Sequence, residues 1–151
     1  MKLLAEQSVV VRCAVHTVFD YISNMENFGQ WFPGVRSIVS ADSLQPIEPG
    51  KEYLEVVATP SGEERQIVVR VRQVESDRLF ATEGEYPPLM PRMEIALRAE
   101  RADACVVTWR MLSRNDAPES ELAWLPVARR TIQERAELGV AQLKARLERR
   151  E

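Results

Sequence analysis

Hydrophobic and polar positions alternate with a period of two along most of this chain and take up a helical period only near its two ends. Gln7 to Cys13 (QSVVVRC) is short and rich in β-branched residues, which predicts a strand. His16 to Ser23 places Val18, Phe19 and Ile22 one helical turn apart, continuing from Val15. Met25 to Phe32 (MENFGQWF) predicts a second short helix, with Asn24 as its cap and Pro33-Gly34 as its stop. A series of strands follows: Val35 to Ala41, Glu52 to Thr59, Arg65 to Val74, Arg78 to Glu83, Arg92 to Glu100 and Cys105 to Leu112. Turn residues bound each of them, for example Pro60-Ser61-Gly62-Glu63 and Glu75-Ser76-Asp77. Gly84 to Pro91 holds three prolines and reads as irregular. Arg92 to Glu100 is made of good helix formers, but the nearly perfect alternation of Met93, Ile95, Leu97 and Ala99 against Glu94, Arg98 and Glu100 favours a strand.

From Pro126 to Arg149 the period changes. Val127/Ala128, Ile132, Ala136, Gly139/Val140, Leu143 and Leu147 form one apolar stripe, and arginine and glutamate occupy the remaining positions. The arginines there, Arg129, Arg130, Arg135, Arg146, Arg149 and Arg150, alternate with Glu134, Glu137 and Glu148, which reads as a solvated face with local ion pairs. The order is strand, two short helices, six strands, one long helix. Short turns between consecutive strands imply an antiparallel meander with one apolar face to cover. The long helix has one stripe to bury, so the economical arrangement is α+β, a curved sheet wrapped on the terminal helix.

Composition narrows the chemistry. The 151 residues fit one domain, 1–151, and no repeat, linker or low-complexity tract divides them. The net charge of −3 gives no surplus of positive charge to neutralise a phosphate backbone, so no nucleic-acid partner is expected. No stretch has the length and apolarity of a signal peptide or transmembrane span, so a cytoplasmic protein without stable membrane insertion is expected. The only histidine is His16, and the cysteines are Cys13 and Cys105. This inventory argues against a metal site, a cofactor held by such ligands or a histidine-activated nucleophile. Both cysteines fall in predicted strands and read as reduced, packed thiols.

The stretch VVVRCAVHTVFDYISNMENFGQWFPGVRSI resembles the start of the SRPBCC superfamily, which includes START-related lipid carriers and polyketide cyclase/dehydrases. The Val18-Phe19 pair, Trp31 and Pro33, the strand start Gly50-Lys51-Glu52-Tyr53, the segment Val74 to Leu79, Val107-Thr108-Trp109 and the ending Gln142 to Glu148 carry the likeness. The resemblance implies a helix-grip fold, with a seven-stranded antiparallel sheet around a long C-terminal helix and a cavity between them. It implies no particular mechanism, because no subfamily's set of paired acidic and basic residues is evident.

On that architecture the expected ligand wall is Phe28, Trp31, Phe32, Tyr53, Met93, Ile95, Trp109 and Met111, an apolar and aromatic set with adaptable methionines. The same side chains would equally close on one another as solid core. The partner expected for an open wall is a hydrophobic small molecule or lipid. An alternative is a polyketide cyclase/dehydrase-type enzyme without metal, in which Glu55, Tyr53 or Arg110 moves protons; the phase of Glu55 and Arg110 is open. A third reading is a protein-interaction or regulatory module, with the proline-rich loop Glu85 to Pro91 as a lid, a lipid-contacting tip or a homodimer contact.

Overall fold

A computed structural model describes residues 1–59 and 61–149. Seven antiparallel strands form one sheet in the order β1-β7-β6-β5-β4-β3-β2. They are β1 (Lys2–Val11), β2 (Val35–Ser40), β3 (Glu52–Ala58), β4 (Glu64–Glu75), β5 (Leu79–Glu85), β6 (Pro91–Arg101) and β7 (Ala104–Ser113). Helix α1 (Val15–Ile22) and a 3-10 helix (Met25–Gln30) connect β1 to β2, and the long helix α2 (Leu125–Glu148) follows β7. This is the α+β meander that alternation implies, in the helix-grip form that the family resemblance implies: strands β2 to β7 follow one another in the sheet, and β1 pairs with β7.

Local sequence explains the elements. In α1, Val18, Phe19 and Ile22 are buried along one face. Asn24 caps the 3-10 helix by accepting from the Glu26 backbone N–H at 3.0 Å. Pro126 sits in the first turn of α2, where its missing N–H costs nothing. Strand β1 starts earlier than its β-branched run suggests, at Lys2, and ends at Val11. Cys13 therefore lies just past the strand rather than in it, and both cysteines are free thiols.

Period two sorts each strand into an inner and an outer face. Tyr53 and Glu55, Ile67, Val69 and Val71, Phe80 and Thr82, Met93, Ile95 and Leu97, and Val107 and Trp109 are all buried on the inner face. The outer face carries an arginine–glutamate ladder. Arg110 stands opposite Glu6 on β1 and Glu94 on β6, with nitrogen–oxygen separations of 3.5 and 3.4 Å. Arg92 lies 2.8 Å from Glu94 and 3.0 Å from Glu83, and Arg72 and Arg114 also approach Glu83. These guanidiniums hold the Glu83 carboxyl below its usual range even though burial alone would raise it. Much of the chain's arginine is thus committed to pairing across strands.

The core is divided along the length of α2. Around the C-terminal half of the helix, Ala136, Val140, Leu143 and Leu147 are buried with Phe19, Leu97, Cys105 and Val107 in a solid cluster. Around its N-terminal half the sheet and helix do not close.

Candidate functional site

The 3-10 helix and the turn after it place three aromatic rings between the two halves. Phe28 and Phe32 are stacked with centroids 4.8 Å apart, and Trp31 meets both edge-on. Phe32 also stacks on Trp109 at 5.0 Å. Gly139 on α2 lets this cluster seat directly on the helix, since a Cβ there would stand 2.9 Å from the Phe32 ring. The faces of Phe28 and Phe32 turned toward the N-terminal half of α2 are the floor of a cavity of about 520 Å³.

The walls come from β3 to β7 (Glu55, Val57, Ile67, Val69, Thr82, Gly84, Met93 and Met111) and from one face of α2 (Trp124, Val127, Ala128, Thr131, Ile132 and Arg135). Tyr86, Pro87, Pro88 and Leu89 close one side. This proline-rich segment is tied down. Ser113 Oγ donates to the Leu89 carbonyl, Asn115 Nδ2 to that of Pro88 at 2.9 Å, and the Arg114 backbone N–H to that of Met90 at 2.8 Å. The Arg114 guanidinium also reaches the Gly84 carbonyl at 2.7 Å. The loop is a wall held by the end of β7.

Of the eight wall residues expected from the sequence, Phe28, Phe32, Met93 and Met111 line this cavity. Trp31, Tyr53, Ile95 and Trp109 are inward but fully buried, packed in the solid core beyond the cavity lining. Glu55 faces inward and lines the cavity, whereas Arg110 is on the outer face in the ladder described above. Of the three residues named for moving protons, Glu55, Tyr53 or Arg110, Glu55 is the one that lines the cavity. His16 is a surface residue, 3.0 Å from Asp77 and 3.4 Å from Asp20, and these acids raise its pKa. Among the described residues no cluster of three potential metal-ligating side chains occurs.

Glu55 is the most unusual group of the site. It is 8% exposed, and its direct cross-strand neighbours are Ile38 and Ile67. Burial pushes its carboxyl up to about 7, and no cation contributes to the shift. The acid is therefore about half protonated near neutrality and can present an O–H donor inside an apolar cavity. Thr82 adds a hydroxyl on the same wall.

Sequence reasoning missed Arg135, which it placed on the solvated face of α2. The side chain is half-buried, lines the cavity and donates to the Ala58 carbonyl at 2.8 Å. A signal was present: Ala128, Ile132, Arg135 and Gly139 are spaced by four, three and four, so Arg135 interrupts the apolar stripe itself. The helix's arginine–glutamate pairing is also less local than expected, since Arg129 pairs with Glu119 and Arg12 with Glu148.

Residues 3–148 match the family described as polyketide cyclase / dehydrase and lipid transport. The chain belongs to that family. Solved structures agree with this membership at the level of fold. A solution structure from Thermobifida fusca superposes with a TM-score of 0.71 at 19% identity, covering 96% of this chain and 93% of that one. A START superfamily protein from Mycobacterium smegmatis gives 0.68 at 15%, covering 96% and 97%. The di-domain ARO/CYC protein BexL, from the BE-7585A biosynthetic pathway, gives 0.73 at 17%; all of this chain aligns with 48% of it. No curated protein matches the sequence. As a member of the polyketide cyclase/dehydrase and lipid transport family, the chain is of the SRPBCC, START-like type. None of its described helices is long and apolar enough to cross a membrane.

Proposed function

We propose that this protein binds one hydrophobic small molecule in the cavity between the sheet and the N-terminal half of α2, and that Glu55 orients it. The observation that carries this reading is a single, uncompensated carboxyl group on the wall of a cavity of about 520 Å³ that is otherwise mostly apolar. Apolar burial at about 25 cal/mol per Å² supplies the affinity. A carbonyl or hydroxyl of the ligand satisfies the protonated Glu55, which has no partner among the described residues. Family membership favours the same reading, because its description names both lipid transport and polyketide chemistry.

The test compares 2-acetylnaphthalene with naphthalene, followed by fluorescence of Trp124 at the cavity wall. Saturable one-to-one binding is expected for both, with the ketone tighter at pH 6. That advantage disappears at pH 8, where ionised Glu55 no longer donates, and in Glu55→Leu at either pH. No saturable binding of either compound up to its solubility would overturn the proposal.

A second reading is favoured by the same group. A carboxyl with a pKa of about 7 is suited to give and take a proton at neutral pH, so Glu55 would serve as the general acid/base for a cyclisation or dehydration of a bound poly-ketone. Turnover of a poly-β-ketone by wild type and its loss in Glu55→Gln, with binding retained, separates this from binding alone.

A further inference from the structure

Arg135 is built into the cavity rim. Gly34 has φ +89°, and a Cβ there would stand 2.6 Å from the Arg135 Cζ and Nη1 and 2.9 Å from Nε. The backbone between the 3-10 helix and β2 thus lies directly against the guanidinium, in a conformation that glycine takes without strain. Nη2 donates to the Ala58 carbonyl. No carboxylate among the described residues pairs with Arg135, although most other arginines have one: Arg36 beside it is paired with Glu64 at 3.4 Å. Burial, and then the charge of Arg36, pull the Arg135 pKa down, while nearby Tyr86 acts in the opposite direction. A guanidinium remains charged near neutrality all the same. Glu55 contributes nothing to that balance and feels no cation itself, so the cavity has two separate polar poles. One is an acid without a base, and the other is a cation without an anion.

A half-buried cation facing an apolar cavity is costly until an anion meets its free N–H groups. We propose that Arg135 is the anchor for a carboxylate on the ligand, so that the cavity selects apolar carboxylic acids over their neutral analogues. The inference rests on the ligand-binding reading above and names its substrate class. A single unpaired positive charge matches a monoanion. A phosphate dianion would leave one negative charge uncompensated beside Val127, Pro87 and Ile132.

The experiment measures Kd for 2-naphthoic acid, 2-naphthamide and 2-naphthyl phosphate on the full chain at pH 6, where the acid is a monoanion, the phosphate is substantially a dianion and Glu55 is mostly protonated. Wild type is expected to bind the acid about ten- to a hundredfold tighter than the amide, as befits hydrogen bonds to a charged group. The phosphate binds no tighter than the acid. Arg135→Met removes the preference by weakening the acid far more than the amide, and Arg135→Lys retains part of it. Equal affinity of wild type for acid and amide overturns the inference while leaving the ligand-binding reading intact. A preference that survives in Arg135→Met overturns the role of Arg135, and tighter binding of the phosphate overturns the choice of a carboxylate. Failure of all three compounds to bind wild type overturns both readings. Should Arg135→Met not fold, wild type and Arg135→Lys decide, because loss of the guanidinium fork must weaken the acid more than the amide.

Discussion

The Glu55 side chain enters the cavity between Ile38 and Ile67 on the adjoining strands, and no cation offsets its charge there. Its ionisation is therefore linked to folding. In the unfolded chain the carboxyl titrates near 4.5, and in the fold near 7. Below 4.5 both states are protonated and folding carries no penalty. Between 4.5 and 7 the folded state holds a proton that the unfolded state has lost, so stability falls as pH rises. Above 7 the whole penalty stands, about 3 kcal/mol. Glu55→Gln keeps the shape without the charge. It is expected to match wild type at pH 4 and to exceed it by up to about 3 kcal/mol at pH 8, measured by urea unfolding across that range. Carboxyls that ion pairs hold low, such as Glu83, lose their contribution in acid, but they do so equally in both proteins and cancel in the difference. A difference between the two proteins that stays constant with pH would show that Glu55 is not buried as a neutral acid.

At the scale of elements, what alternation and helical spacing reveal is which face of a strand or helix is inward. The strands and both α-helices were legible from sequence, with β1 the furthest off because it starts at Lys2 rather than Gln7, since one face of each element turns inward and the other meets water. The level along the helix axis is a different quantity, and no period encodes it. Met93 and Ile95 are neighbours on the inner face of β6, and Met111 and Trp109 on that of β7. One of each pair meets the cavity, and the other meets the packed core that Phe32 covers. The dividing layer depends on Gly139, whose role is visible only when Phe32 is seen resting on the helix. In an ordinary helix Gly→Ala stabilises by about 1 kcal/mol. Gly139→Ala is expected to destabilise instead, by about 1 kcal/mol net, because its Cβ would drive Phe32 against Phe28 and Trp109 at an overpacking cost of about 1–3 kcal/mol. Urea denaturation of Gly139→Ala, and of Gly139→Ala with Phe32→Leu, checks this. The second change should recover most of the loss, and a Gly139→Ala protein more stable than wild type would refute the packing account.

Over the whole molecule, one helix serves two purposes. The C-terminal half of α2 closes the core through Leu143 and Leu147, and its N-terminal half faces an unfilled space. Natural cores are packed nearly as densely as crystals, so a space of this size left beside a continuous sheet is a departure that costs stability. If that space exists for a ligand, stability and binding must respond in opposite directions when it is filled. Ala128, one helical turn before Ile132 on the cavity face, is the position to fill. Ala128→Phe loses some helix propensity, but it buries an aromatic ring against Met93, Met111 and the proline-rich wall at a gain of about 2 kcal/mol. The net expectation is about 1 kcal/mol of added stability in the free protein, or about 3 °C in Tm for a chain of this length. The same ring occupies the volume that the ligand needs, so affinity for 2-acetylnaphthalene should fall at least tenfold. Calorimetry of the free variant and a fluorescence titration give the two signs independently. A solid core would give the opposite result, a lower Tm from overpacking with no effect on binding, and that outcome would show that the space between the sheet and the first turns of α2 is not a binding cavity.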